Sequence, residues 1–190
     1  MANIKGTAML NCVKFLRANF KEQALELLPP ELHKYLHDRI LVSSWYPEED
    51  NLALIRVLAR IMEKNVPDAG DDVYGYMGRV VAKADFSTVY ANLIRSNDPQ
   101  ATLGRGLIAW RMYHDTGSFS VTIQGPGRAR VDLSDYGLPS KEMCSLLKGF
   151  HEQMLVMAGA QEVSSKEVNC RNRGDRTCAW EIRWKTQSPS

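Results

Sequence analysis

Long apolar runs are missing from this chain. No window reaches the roughly 18 apolar residues that cross a bilayer, and the opening Met1-Ala-Asn-Ile-Lys5 is not followed by the apolar core of a secretory signal. A surplus of one charge is missing too. Across 190 residues, 24 Lys and Arg stand against 22 Asp and Glu, and a net of +2 is too small to imply a nucleic-acid partner or a membrane surface. The basic residues are scattered, except for Arg171, Arg173 and Arg176 near the end. Internal repeats and low-complexity stretches are lacking. Cysteine is scarce, with four in the chain. The expectation is a cytoplasmic protein with no membrane span and reduced thiols. Metal binding or plain burial then comes before disulfides for the cysteines.

What is present is ordinary in amount, with hydrophobic residues at 44% and charged ones at 24%. That is enough for a single domain over residues 1–185 with a substantial core, followed by a polar tail at 186–190. The first 116 residues read as helices. Met9, Val13, Leu16 and Phe20 form one apolar stripe, and Leu25 and Leu28 follow before Pro29-Pro30 breaks it. A second helix is expected over 31–40, opening with Pro30 in its first turn. Ser43 to Pro47 reads as a turn whose aromatics, Trp45 and Tyr46, need cover. Leu52, Ile55, Leu58, Ala59 and Met62 mark a strong helix, with Arg56, Arg60 and Glu63 facing out. Val73, Tyr76, Met77, Val80 and Val81 mark another. Asp85 reads as the N-cap of a run through Phe86, Val89, Tyr90 and Leu93. Asp98-Pro99 opens a further helix that carries Leu103, Leu107 and Trp110 and stops before Gly117.

At Gly117 the period changes from that of a helix to that of a strand. Phe119, Val121 and Ile123 alternate with Ser120, Thr122 and Gln124. Ala129, Val131 and Leu133 answer them across the turn Gly125-Pro126-Gly127. A helix from Pro139 to about Ala158 points Met143, Leu146, Leu147, Phe150 and Met154 inward and ends at Gly159. Strands over 162–170 and 177–185 flank the loop 171–176. Helices followed by hairpin, helix and hairpin imply an α+β domain, with helices packed on one face of an antiparallel sheet.

Specific chemistry is suggested at one place. Cys170 and Cys178 bracket the second hairpin, and Cys144 lies near the start of the helix expected to cover it. Three thiols and the carboxylate of Glu167 make a four-ligand set suited to zinc, which stabilises buried thiolates. Glu167 and Cys170 differ by three, so a regular strand turns them to opposite faces. Both can ligate only if a bulge or the strand end intervenes. His151, on the Cys144 face of the helix, lies about 10 Å further along its axis. That is too far to share an ion. Inert burial of the thiols and a Cys170–Cys178 disulfide or redox pair remain open beside zinc. Cys12 reads as core.

Elsewhere the signals are weak. His33 and His37 stand four apart without the acidic residue of a metalloprotease helix, and read as a surface pair. His114 is the best candidate for an axial haem ligand, against a helix-end histidine bonded to terminal carbonyls. Gly104-Arg105-Gly106 lacks the strand of a dinucleotide site. No nucleophile, base and orienter form a set, so the expectation is a non-catalytic protein.

At Cys144, Glu167, Cys170 and Cys178 the sequence resembles the 4-vinyl-reductase-like family of small-molecule-binding domains. The segment Cys170…Gly174-Asp175-Arg-Thr-Cys178-Ala-Trp180 resembles that family's closing signature. In phenol-sensing relatives zinc is held by a Cys, a Glu and two further Cys, in this order and spacing. Lys5-Gly6-Thr7, Ser44-Trp45-Tyr46-Pro47 and Tyr113-His114-Asp115-Thr116-Gly117 resemble a family of myxobacterial paralogues of unknown function. The resemblance implies a fold shared with haem-NO-binding domains and TRAPP tethering subunits, often dimeric, with an apolar cavity between helices and sheet.

The expectation is thus a zinc-stabilised sensor that binds a small hydrophobic or aromatic molecule, forms a homodimer and signals through an unknown downstream protein. Trp110, Phe119 and Phe150 are its candidate cavity-lining residues. The alternatives are a haem-based gas sensor and an interaction scaffold like a tethering subunit. The Tyr-x-Ser-x-Arg motif of the haem-NO family is absent, since Tyr35-Leu-His-Asp-Arg39 has His where Ser is needed.

Overall fold

The computed structural model describes residues 2–88 and 90–185. Val89, the Leu107 side chain and the tail 186–190 lie outside the described residues, and so do the expectations placed on them. The chain divides into two compact units, Met1–Val73 with Met112–Thr116, and Tyr74–Arg111 with Gly117–Ser190.

The first unit is helical with a small strand pair. Strand β1 (Asn3–Lys5) runs antiparallel to β2 (Trp45–Pro47). The expected turn at Ser43–Pro47 is therefore half strand, a pairing across some forty residues that no local pattern announces. Trp45 stays 45% exposed, with the Lys5 ammonium over its ring. Helix α1 (Gly6–Asn19) buries Met9, Val13 and Leu16, while α2 (Lys21–Leu27) buries Ala24. A Cβ on Gly6 would meet the Leu41 carbonyl at 2.1 Å, so a side chain has no room there. The helix expected over 31–40 is instead a 3-10 turn at Pro30–Leu32 followed by the single turn α3 (Lys34–His37). Helix α4 (Glu48–Asn65) buries Leu54, Val57 and Ile61 besides the expected stripe. Three acidic residues in its first turn complement the helix dipole.

The second unit holds the sheet. Helix α5 (Val73–Phe86) runs through Asp85, which is 5% exposed near the helix end and not an N-cap. Asp98 does cap α6 (Pro99–Gly104), its carboxylate accepting from Ala101 N at 2.9 Å. The single helix expected up to Gly117 is broken at Arg105, and α7 (Gly106–Tyr113) follows. Two glycines flanking one residue cost too much helix propensity for the run to continue.

Strands β3 (Ser118–Gly125), β4 (Arg128–Ser134), β5 (Gln161–Asn169) and β6 (Cys178–Lys185) form an antiparallel sheet in the order β3-β4-β6-β5. Phe119 pairs with Leu133, Leu133 with Cys178, and Val131 with Trp180, so these side chains share one face. Helix α8 (Lys141–Met157) covers that face with Met143, Leu147 and Met154. Each such side chain contributes roughly 1.5–3 kcal/mol on burial. The expected α+β architecture is the one observed.

Candidate metal centre

Helix α8 starts where a Ser side chain can close it. Ser140 Oγ accepts from Met143 N at 3.1 Å, which fixes Cys144 in the first turn. There the N-terminal dipole favours a thiolate. Two residues set the other side of the site. The Cys170 N–H is held by Asp175 Oδ2 at 2.7 Å, and Gly174 takes the left-handed φ of 92° that turns the chain back toward Cys178. That hydrogen bond keeps the Asp175 carboxyl below its ordinary range.

The three sulfurs come together. Cys144 Sγ lies 3.9 Å from Cys170 Sγ and 3.6 Å from Cys178 Sγ, and all three lie within 4.8 Å of one another. All are buried free cysteines. Sulfurs around a tetrahedral zinc ion at about 2.3 Å each sit at this kind of separation. Two N–H groups point at them: Arg171 N at 3.5 Å from Cys178 Sγ, and Asn172 Nδ2 at 3.7 Å from Cys170 Sγ. Such donors stabilise negative sulfur. The thiol of Cys144 donates to Cys178, which raises Cys144 and lowers Cys178 to about 6. One proton of the pair is therefore given up readily.

Glu167 stands beside this trio and is not a member of it. Opposite Trp180 in β5, it helps to keep the Cys144 thiol protonated. The bulge that Glu167 and Cys170 need is present. Glu167 pairs with Trp180 and Asn169 with Ala179, so Val168 is an extra residue in the ladder. The surprise is Arg173, whose Nη1 donates to Glu167 Oε2 at 2.7 Å. Glu167 Oε1 is buried without a hydrogen-bond partner. Of the other two arginines, Arg171 donates to the Tyr136 carbonyl and Arg176 is exposed. The site opens on a groove of about 410 Å³ lined by Lys141, Cys144, Ser145, Lys148, Glu167, Cys170, Arg173 and Trp180. Lys141, Ser145 and Lys148 recur at helix spacing, a signal that the apolar pattern of α8 obscured.

The remaining candidates are spread out. Trp110 and Phe119 do meet, edge to face at 4.9 Å, with Tyr136 at 5.1 Å from Trp110. Phe150 packs against Phe86 at 5.3 Å. His151 is wedged edge-on between Phe119 and Trp180, 5.5 Å from each, and its Nδ1 has no hydrogen-bond partner. Burial pulls it down to about 4, so it is neutral. His33 Nε2 bonds the Leu28 carbonyl, and His37 is exposed. His114 does not bond helix-end carbonyls through Nδ1. In the first unit, that atom donates to Glu48 Oε1 at 2.6 Å, and Glu48 is fully buried. Its segment is held by Asp115, which accepts from Asn3 N and Asn3 Nδ2 at 2.7 and 2.6 Å. Cys12 is half-buried as a residue, but its thiol is enclosed, and burial pushes it up to about 12. No helix is long and apolar enough to cross a membrane among the described residues.

Comparison with known proteins places the chain. Residues 26–185 match the family described as "Protein of unknown function (DUF2378)", and the chain belongs to it. Among curated proteins no sequence matches. Among solved structures, the chain is similar to the Fe(II) unliganded H-NOX protein of K. algicida. The TM-score is 0.66 at 12% identity, covering 98% of this chain and 99% of that one. The H-NOX protein of S. oneidensis in the Fe(II)NO state gives 0.62 at 15%, covering 95% and 99%. A mutant of T. tengcongensis H-NOX gives 0.64 at 16%, covering 95% and 97%. At these identities the likeness establishes the fold, which is that of H-NOX domains.

Proposed function

We propose that this DUF2378 member is a non-catalytic sensor module of H-NOX fold. It takes up a small ligand and passes the event to a partner protein through a shift in helix packing. The observation that carries this reading is the fold likeness, which runs over nearly the whole of both chains.

Haem with a diatomic gas is the ligand that the relatives' names favour, since they carry Fe(II), and NO in one case. In this chain the residue that would hold the haem iron is His114. Its Nδ1–H goes to the buried Glu48 carboxylate, the arrangement that fixes a ring tautomer and orients Nε2. Haem would supply the iron to which a gas binds. The visible spectrum of protein produced with added haem precursor tests this. A Soret band lost in His114→Ala supports it. A protein that stays colourless on haem titration sinks it and leaves a small hydrophobic or aromatic molecule as ligand. Trp110, Phe119 and Phe150 would then be the aromatic side chains to examine.

The thiol trio favours a second, independent component, a structural zinc ion on Cys144, Cys170 and Cys178 with Glu167 as the carboxylate nearest at hand. The two components do not compete, because the residues they use are different. Homodimerisation belongs to the same proposal, with sedimentation as its check.

A further inference from the structure

We infer that the groove beside the thiol trio binds a small carboxylate-bearing molecule, whose carboxylate takes the place of Glu167 on the metal ion. The inference rests on the metal reading above and goes beyond it by naming a ligand class.

Three sulfurs leave the fourth position of a tetrahedral ion to an oxygen donor. The donor of this chain is divided in its attachment. Arg173 holds Glu167 Oε2 at 2.7 Å, and Arg173 is itself 53% exposed. A carboxylate tethered to an outward-facing guanidinium is an exchangeable ligand. An incoming carboxylate can replace it without changing the formal charge of the ion's ligand set, while Glu167 stays paired with Arg173.

The groove suits such a molecule. Its volume of about 410 Å³ falls within the range of small-molecule sites. Cys144 and Cys170 line it, together with Trp180. Lys141, Ser145 and Lys148 stand at spacings of four and three on α8 and also line the groove, so their polar ends gather on one side. A divalent ion with three thiolates and the Glu167 carboxylate carries a formal charge of about −2, and Lys141, Lys148 and Arg173 around it leave a small cationic excess that favours an anion.

Cobalt(II) loaded into metal-free protein reads the fourth ligand directly, through its visible d–d bands. Benzoate is the probe, and benzyl alcohol is its neutral counterpart. The expected result is a saturable band shift with benzoate and none with benzyl alcohol. The Lys141→Ala/Lys148→Ala double variant should weaken benzoate by about tenfold or more, a measurable step in affinity. Arg173→Ala should weaken it too, because the released Glu167 then holds the metal more firmly. Glu167→Ala should keep the metal and bind benzoate more tightly. Bands that form and ignore benzoate, or that respond equally to the alcohol, overturn the carboxylate site and leave the metal reading standing. Failure to take up cobalt or zinc at all removes the metal reading, and this inference with it.

Discussion

A methyl group placed on Gly78 of α5 would lie 1.9 Å from the carbonyl oxygen of Leu146 on α8. The relationship is reciprocated by Gly149 of α8, where a Cβ would lie 1.9 Å from the carbonyl oxygen of Gly75. The two backbones touch here, and nothing but hydrogen fits between them. Because α8 also carries Cys144, this crossing sets the height of that thiol above the sheet.

Gly78→Ala and Gly149→Ala should each therefore destabilise the fold by about 1–3 kcal/mol, since overpacked backbone contacts relax only by moving a helix. Gly104→Ala serves as the control, as its Cβ meets nothing within 4 Å, and it should be neutral or slightly stabilising. Urea denaturation reads both. An unshifted midpoint for Gly78→Ala would mean that the helices are not locked together.

Metal content and melting temperature should fall together. Wild-type protein should carry about one zinc per chain, and Cys144→Ser, Cys170→Ser and Cys178→Ser should lose it with a large drop in Tm, because metal affinity feeds into folding free energy. Cys12→Ser should keep both, since Cys12 lies in α1 outside the trio. A chelator should reproduce the Cys170→Ser melting curve. Equal metal content in wild type and Cys170→Ser would end the zinc reading.

His151 should make the protein acid-sensitive. Burial holds its folded value at about 4, against roughly 6.5 in an unfolded chain. Between these values the unfolded chain takes the proton and the folded one does not, so stability rises with pH there. It is lost as pH falls from about 6.5 toward 4, by up to about 3 kcal/mol in all. His151→Phe keeps the edge-on ring packing and should flatten this part of the stability profile. An unchanged slope in that variant would move the acid sensitivity elsewhere.

The C-terminal third is the most legible part of the chain. Alternation of side chains locates all four strands to within a residue or two, and three cysteines bracketing a helix start and a hairpin point to one meeting place. These are local signals, set by strand period and turn residues. Elsewhere the deciding interactions are long-range. Strands β1 and β2 have three residues each, too few for a period, and exist only because they find each other. The Glu48–His114 pair spans 66 positions and looks like an ordinary first-turn acid and helix-end base. Arg173 looks like one of three interchangeable cations, and only the turn at Gly174 aims it at Glu167. The glycines of the α5–α8 crossing look like weak points in helices, because their use lies in a neighbour that the local pattern does not contain.

The unpaired Val168 in β5 bears on how related chains should be aligned. Without that residue, the acid and the next cysteine would sit two apart and point the same way by simple alternation. With it, they sit three apart and a kink restores the match. The gap between acid and thiol is thus not a constant of this architecture. A one-residue deletion there should preserve the ligand set, whereas the same deletion within the regular ladder of β6 should turn Trp180 outward and empty the core.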